Sequence, residues 1–245
     1  MVLTSEQLVS YKNKGFAGPN PILNNNQLKR LKFEIKNIIN KLPPNVRPEN
    51  ISSPNENNNF ILKLLLTKPF LDVAEQILGP DISLFAVYAI CKPPFDGRNV
   101  KWHQDAAYWP IKPMETFTLW LAVDDSNSEN GCMQVLPSSH KSKKIITHST
   151  NYNDKSVLPQ SISRLDTKDA VDVEVPAGNY SVHDPFLLHG SKTNKSSKWR
   201  CGVTVKYIPS HVKLDRDYIG PSGFNWNSLK LFHARGKRGN HKYAN

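Results

Sequence analysis

The sequence predicts an α+β chain, with a helical first third and then many short strands that close into a β-sandwich or barrel. Three observations predict it. Apolar residues recur at helical spacing up to about residue 80 and then shift to strand-like runs. Those runs are short, numerous and separated by Pro, Gly, Asn and Ser. The 245 residues exceed an average domain but suit a single β-rich unit.

Each element has a local reason. "TSEQ" (4–7) has the form of a capping box, with Thr4 as the cap and Gln7 three residues later. In the next helix Leu28, Leu31, Ile35, Ile38, Ile39 and Leu42 share one face, and Pro43 stops the run. "NVRPENISSPNENNN" (45–59) is polar and Pro/Asn-rich, which predicts a loop. "FILKLLLTKPFLDVAEQILGP" (60–80) holds short apolar helices that end at Gly79-Pro80. Strands follow in 81–94, 116–125, 132–137, 170–178, 179–190 and 199–209. Residues 138–168 are Ser/Lys/Asn-rich, a long insertion in which a lid is expected. The organisation read from this is one domain over 1–245: a helical part (1–80), a β core (81–210) and a basic C-terminal segment (211–245).

Composition narrows the function classes. Hydrophobic residues make up 38% and aromatic residues 9%, enough for a packed core and too much for wholesale disorder. No apolar run approaches the roughly 20 residues of a membrane span, so no membrane partner is expected. "MVLTSEQLVS" lacks a basic and then apolar leader pattern. Cys91, Cys132 and Cys201 are odd in number and have no CxxC spacing. They read as small buried hydrophobes in a reducing compartment, and a cytoplasmic location is expected. Net charge is +11, concentrated in part in the tail 229–245. The tail reads as a solvated segment or an anion-binding arm. The charge itself allows nucleic acid as a partner but equally favours small anionic substrates.

The chemistry starts at "KWHQDAAYWP" (101–110). Residues i and i+2 of a strand share a face, so His103 and Asp105 project together and Gln104 points away. An imidazole and a carboxylate make two thirds of the 2-His-1-carboxylate set that binds ferrous iron. Such a pair is also common on exposed strands, so a second His is needed from far along the chain. His189 ends an apolar strand at a Gly-Ser turn, 84 residues after Asp105 (189 minus 105), and Arg200 follows eleven residues later (200 minus 189). A planar guanidinium suits the far carboxylate of a 2-oxo acid bound to such an iron, because its fork matches a carboxylate bidentately.

"WHQD" (102–105), "LWLAVDDSNSENGCMQVLPSSHK" (119–141) and "HGSKTNKSSKWR" (189–200), with the opening "LTSEQLVSYKNKGFA" (3–17), resemble the phytanoyl-CoA dioxygenase family of iron(II)/2-oxoglutarate oxygenases. The resemblance runs over roughly residues 3 to 210. It implies a mainly β fold with flanking helices, the double-stranded β-helix or jelly roll. It also implies His103, Asp105 and His189 as iron ligands. Arg200 and Ser191 are then the seat of the distal carboxylate of 2-oxoglutarate, and Trp120 an aromatic beside it. A carboxylate at 105 implies hydroxylation, because the family's halogenating branch has a small residue there.

The supporting residues each have a plainer reading. Trp120 also fits simple core packing. Asn130-Gly131 is a hairpin-type turn signal whatever the function, and His140 reads as a surface residue. His183 lies six before His189 and shares its face if no bulge intervenes, so it either meets an anionic substrate or is a structural His. Tyr108 and Trp109 wall the pocket or pack in the core. Lys92 meets a substrate anion or is solvated. The expected activity is a dioxygenase that joins 2-oxoglutarate, dioxygen and a small, anionic metabolite. Lys192, Lys195, Lys198 and Lys206 are the charges that favour an anion. Two other readings stay open: the same iron chemistry on nucleic acid or protein, and a non-enzymatic metal-binding jelly roll.

Overall fold

The computed structural model describes residues 2–151, 156–220 and 223–245. Helix α1 (Ser5–Lys14) carries the expected capping box, with the Thr4 side chain accepting from the Gln7 amide and Gly15 closing the helix at φ 87°. Strand β1 (Phe16–Pro21) follows, then α2 (Asn25–Asn40), β2 (Ile51–Ser52), α3 (Asn59–Leu65) and α4 (Lys68–Leu78). The β-rich part contains β3 (Ile82–Lys92), β4 (Val100–His103), β5 (Ile111–Lys112), β6 (Phe117–Ala122), β7 (Met133–Val135), β8 (Ser149–Thr150) and β9 (Gln160–Ser161). It continues with β10 (Val171–Val173), β11 (Asn179–His183), β12 (His189–Ser191), β13 (Arg200–Pro209), β14 (Lys213–Leu214) and β15 (Phe232–Arg235).

Two antiparallel sheets form the double-stranded β-helix. The larger runs β1-β11-β6-β13-β3-β15, with β2 also on β3; the smaller runs β10-β7-β12-β4. Two short pairs, β14-β5 and β8-β9, lie outside them. The larger sheet sorts its residues by strict alternation. On β13, Cys201, Val203, Val205 and Tyr207 join Phe117, Leu119 and Leu121 of β6 in the core beneath the helices, with Phe70, Leu71, Val73 and Ala74 of α4. The alternate set, Arg200, Gly202, Thr204 and Lys206, faces the other way with Trp120 and Thr118, the register partners of Thr204 and Lys206 on β6. Arg200, Thr204, Lys206, Thr118 and Trp120 on this second face line a cavity.

Three features differ from or go beyond the sequence reading. Residues 179–190 are not one strand: β11 belongs to the larger sheet and β12 to the smaller, with a turn at 184–188 between them. Asp184 closes that turn, its carboxylate accepting from the Phe186 amide at 2.9 Å. Consequently Gly190 and Ser191 are strand residues, not a turn, and Arg200 starts a strand in the sheet opposite His189. The segment "FAGPNP" (16–21), with two prolines and a glycine, gives no strand signal, yet it pairs with β11 as an edge strand where Pro is tolerated. The basic tail is not loose either. Phe232–Arg235 adds a strand to β3, Arg235 pairs with Asp72 at 3.0 Å, and Trp226, Leu229 and Leu231 are buried.

Candidate active site

His103 ends β4 and His189 opens β12, and the two are register partners, so their rings stand side by side with centroids 4.1 Å apart. Asp105 lies just past β4 in a short 3-10 turn (Asp105–Ala107), not on the strand itself. It still points inward, with Oδ1 at 3.6 Å from His103 Nε2 and 3.7 Å from His189 Nε2. Thr118 on β6 fixes the carboxylate by donating to Oδ2 at 2.7 Å. Gln104 points away as expected. It is fully buried, however, where its side chain donates to Phe186 O at 2.8 Å and accepts from the Ile146 amide at 2.8 Å.

This donor set fits a divalent iron. Nδ1 of His103 faces Lys101 O at 2.7 Å, and Nδ1 of His189 faces Leu187 O at 2.9 Å. Each carbonyl makes Nδ1 the protonated nitrogen, which leaves Nε2 with a lone pair towards Asp105. One ligand atom from each of the three residues lies within 4.8 Å of the others. Burial, then His103 and His183, pushes His189 well below the usual imidazole range, so it is held neutral. Burial pushes the Asp105 carboxyl up, but His103 and His183, then His189 and Lys206, outweigh it and hold it well below the carboxylate range. A neutral imidazole and an ionised carboxylate are the forms a metal requires.

His183 joins the cluster by a route that strand counting does not describe. It ends β11 in the larger sheet, yet its ring is 4.6 Å from that of His189. Its Nε2 is 3.4 Å from Asp105 Oδ2 without hydrogen-bond geometry, and both ring nitrogens are buried without partners among the described residues. An orphaned buried imidazole of this kind marks where a ligand group belongs.

Arg200 and Ser191, the expected seat of a carboxylate, line the same cavity, which encloses about 410 Å³. Arg200 is buried, and its Nε and Nη2 donate to Gly131 O at 3.1 and 2.7 Å; Nη2 also reaches Ser191 Oγ at 3.4 Å. No carboxylate pairs with it among the described residues. The Asn130-Gly131 turn thus does more than reverse the chain: its carbonyl aims the guanidinium. Trp120 stacks beside Arg200, with 5.5 Å from ring centroid to guanidinium carbon. Its ring occupies the space above Gly202, where an added Cβ would meet it at 2.2 Å. Tyr108 and Trp109 both line the cavity, so they are wall as well as core.

Lys92 is neither solvated nor aimed at open space. It is wholly buried, and its Nζ donates to Ser191 Oγ at 2.7 Å and to the carbonyl of Lys192. Burial, then the charge of Arg200, pushes it from 10.5 down to about 6. The unfolded chain therefore binds one more proton than the fold between about pH 6 and 10.5. Stability accordingly rises with pH through that window, by at most ~1.4 kcal/mol per unit. Urea midpoints of the metal-free protein are expected to climb from about pH 6.5 to 8, and Lys92→Met to flatten the climb. An equal slope in the variant would assign it elsewhere. Lys192, Lys195 and Lys198 are exposed, whereas Lys206 is buried in the cavity. His140 is buried too, with Nε2 at 3.1 Å from Lys12 O, so it is a packing residue and not a surface one.

Residues that the sequence reading left out are Thr118, which two-residue alternation from Trp120 places on the same face, and Tyr88 and Phe224 of the cavity wall. Part of the expected lid, 152–155, lies outside the described residues. Val157 and Leu158 line the cavity, and Ile162 N donates to Trp102 O at 3.0 Å.

The chain is similar to known proteins. The family model for phytanoyl-CoA dioxygenase matches residues 11–202, which include all three clustered residues and Arg200. A probable alpha-ketoglutarate-dependent hypophosphite dioxygenase of Stutzerimonas stutzeri is 29% identical over 167 residues, covering 64% of this chain and 56% of that protein. The human peroxisomal phytanoyl-CoA dioxygenase is 22% identical over 263 residues, covering 94% of this chain and 74% of that protein. Among solved structures, the alpha ketoglutarate-dependent carbocyclase SnoK from nogalamycin biosynthesis superposes with TM-score 0.71 at 18% identity, covering 86% of each chain. EvdO2 from Micromonospora carbonacea var. aurantiaca, complexed with 2-oxoglutarate, does so with TM-score 0.69 at 20% identity, covering 89% of this chain and 95% of that one. At these identities the structural matches show the fold. With the family model matching most of the sequence, the chain belongs to the phytanoyl-CoA dioxygenase family of iron(II)/2-oxoglutarate-dependent oxygenases.

Proposed function

We propose that this chain hydroxylates a small anionic metabolite, with His103, Asp105 and His189 holding iron(II) and Arg200 and Ser191 seating the distal carboxylate of 2-oxoglutarate. The observation that carries the reading is one cavity with the HxD…H cluster at one place in it and, at another, a buried arginine that no carboxylate pairs with among the described residues. When bound, the iron and 2-oxoglutarate supply the oxidation: 2-oxoglutarate, dioxygen and a substrate C–H become succinate, carbon dioxide and C–OH.

The chain's own residues bind, orient and keep water out. Lys101 O and Leu187 O hold the two imidazoles in one tautomer, and Thr118 holds the carboxylate. Gly131 O and Trp120 hold the Arg200 fork before any ligand arrives, so little orientation is left to lose on binding. Trp109 and Tyr108 close the wall beside the cluster. The carboxylate at 105 supports hydroxylation. A small anion is supported by the buried lysine in the cavity and by the hypophosphite that names one relative. The tail's Lys230 and Arg235 face Glu56, Asp72 and Glu75, which weakens the case for that tail as a nucleic-acid arm.

The test is anaerobic. Ferrous iron and 2-oxoglutarate added to the native protein are expected to give the weak visible metal-to-ligand charge-transfer band. No band in the native protein, or an undiminished one in His189→Ala, would overturn the assignment.

A further inference from the structure

The cavity contains a second buried cation besides Arg200. Lys206 is 4% exposed and lines the cavity on the same face of β13 as Arg200, six residues further along. That spacing puts their backbones roughly 20 Å apart, so the two cations serve different ends of the cavity. Lys206 is the register partner of Thr118, the residue that holds Asp105. It therefore stands beside the metal cluster.

We propose that Lys206 receives the anionic group of the substrate, and that the substrate is a small organic acid whose apolar body lies against Tyr88, Trp109, Phe224 and Trp226. The inference rests on the functional reading above and adds the residue and the substrate class to it. An ammonium has three protons to donate. The one hydrogen-bond acceptor for Lys206 among the described residues is Thr204 Oγ1, at 2.5 Å. No carboxylate pairs with it among the described residues. Buried charge without a partner is costly, and a ligand anion is the missing partner. Two aromatic faces keep the side chain in place, with Nζ at 4.8 Å from the Tyr88 centroid and 5.7 Å from that of Trp109. Burial lowers the amine to about 8, with Asp105 pulling the other way, so it is charged near neutral pH.

The apolar half of the class follows from the wall. Phe85 stacks on Trp226 at 5.7 Å and meets Trp109 edge-on at 6.2 Å, while Phe224 meets Trp226 at 4.7 Å. These rings brace one another into a fixed apolar surface, and a bare inorganic anion would leave it unused. Trp226 Nε1 is buried without a partner among the described residues, one more donor on that wall.

The probes are hexanoate and phenylpropionate, each paired with its neutral primary amide, and hypophosphite as an anion with no apolar body. Each is titrated calorimetrically into the native protein, Lys206→Met and Lys206→Arg. All are loaded anaerobically with ferrous iron and saturating 2-oxoglutarate. At least one acid is expected to bind the native protein about tenfold or more tighter than its amide and than hypophosphite. Lys206→Met is expected to erase the acid–amide difference while leaving 2-oxoglutarate affinity and the charge-transfer band intact, and Lys206→Arg to keep part of it. Equal binding of acid and amide by the native protein overturns the proposal, as does a difference that survives in Lys206→Met. Hypophosphite binding as tightly as the acids removes the apolar body. Loss of 2-oxoglutarate affinity in Lys206→Met assigns the lysine to the cosubstrate instead. Absence of the band in the native protein, seen before any titration, is the separate failure of the functional reading. The native acid–amide comparison stands even if Lys206→Met does not fold.

Discussion

Asp105→Ala is expected to lower succinate release by at least about a thousandfold and to leave the purified protein almost free of iron. The reason is electrostatic as much as geometric. His103, His183 and His189 crowd one small volume, and Asp105 is the carboxylate among them. Without it, a divalent cation would have to enter a buried pocket that also contains Lys206, with the carboxylate that acts on the imidazoles and on Lys206 gone. Succinate assay and metal analysis on the same preparation check this. A variant that keeps its iron and more than about a tenth of its turnover would remove Asp105 from the ligand set.

Arg200→Ala should weaken 2-oxoglutarate about a hundredfold or more while leaving iron content unchanged. The guanidinium is buried in the cavity wall, and Gly131 O and Trp120 hold it in position in advance. Arg200→Lys is expected to recover only a small part, because an ammonium has no planar fork to match a carboxylate. Titrating the charge-transfer band with 2-oxoglutarate gives both numbers. If the alanine variant binds the cosubstrate as the native protein does, the carboxylate sits elsewhere, and Lys92 beside Ser191 becomes the donor to examine.

Period-two patterning made the key face legible. Reading "FTLWLA" and "RCGVTVKYIP" in alternate positions separates the helix-facing core from Thr118, Trp120, Arg200, Thr204 and Lys206. The HxD pair, the distant His and the Arg eleven residues on were legible because each stands in a short, distinctive context. Other features were not, for physical reasons. The path of 179–190 between sheets depends on a turn closed by Asp184, and a run such as "SVHDPFLLH" looks like one strand to any count of alternation. Strand β1 exists because β11 offers it an edge, a tertiary cause with no trace in "FAGPNP". Burial of Lys92, His140 and Lys206 contradicts their residue type and depends on partners far along the chain. The tail hid its role because its charges outnumber Trp226, Leu229, Leu231 and Phe232, the residues that anchor it.

The two-sheet origin of the cluster has a mechanical consequence. His103 and His189 come from the smaller sheet, while Asp105 is tied by Thr118 to the larger one. An ion bonded to all three would rivet the halves of the sandwich together and close a loop of 84 residues between Asp105 and His189 (189 minus 105). Such a rivet makes the metal a structural cross-link as well as a reagent. Breathing of the sandwich and escape of the ion then become the same event, and the slowest hydrogen-exchanging amides of the loaded protein belong on β4, β6 and β12.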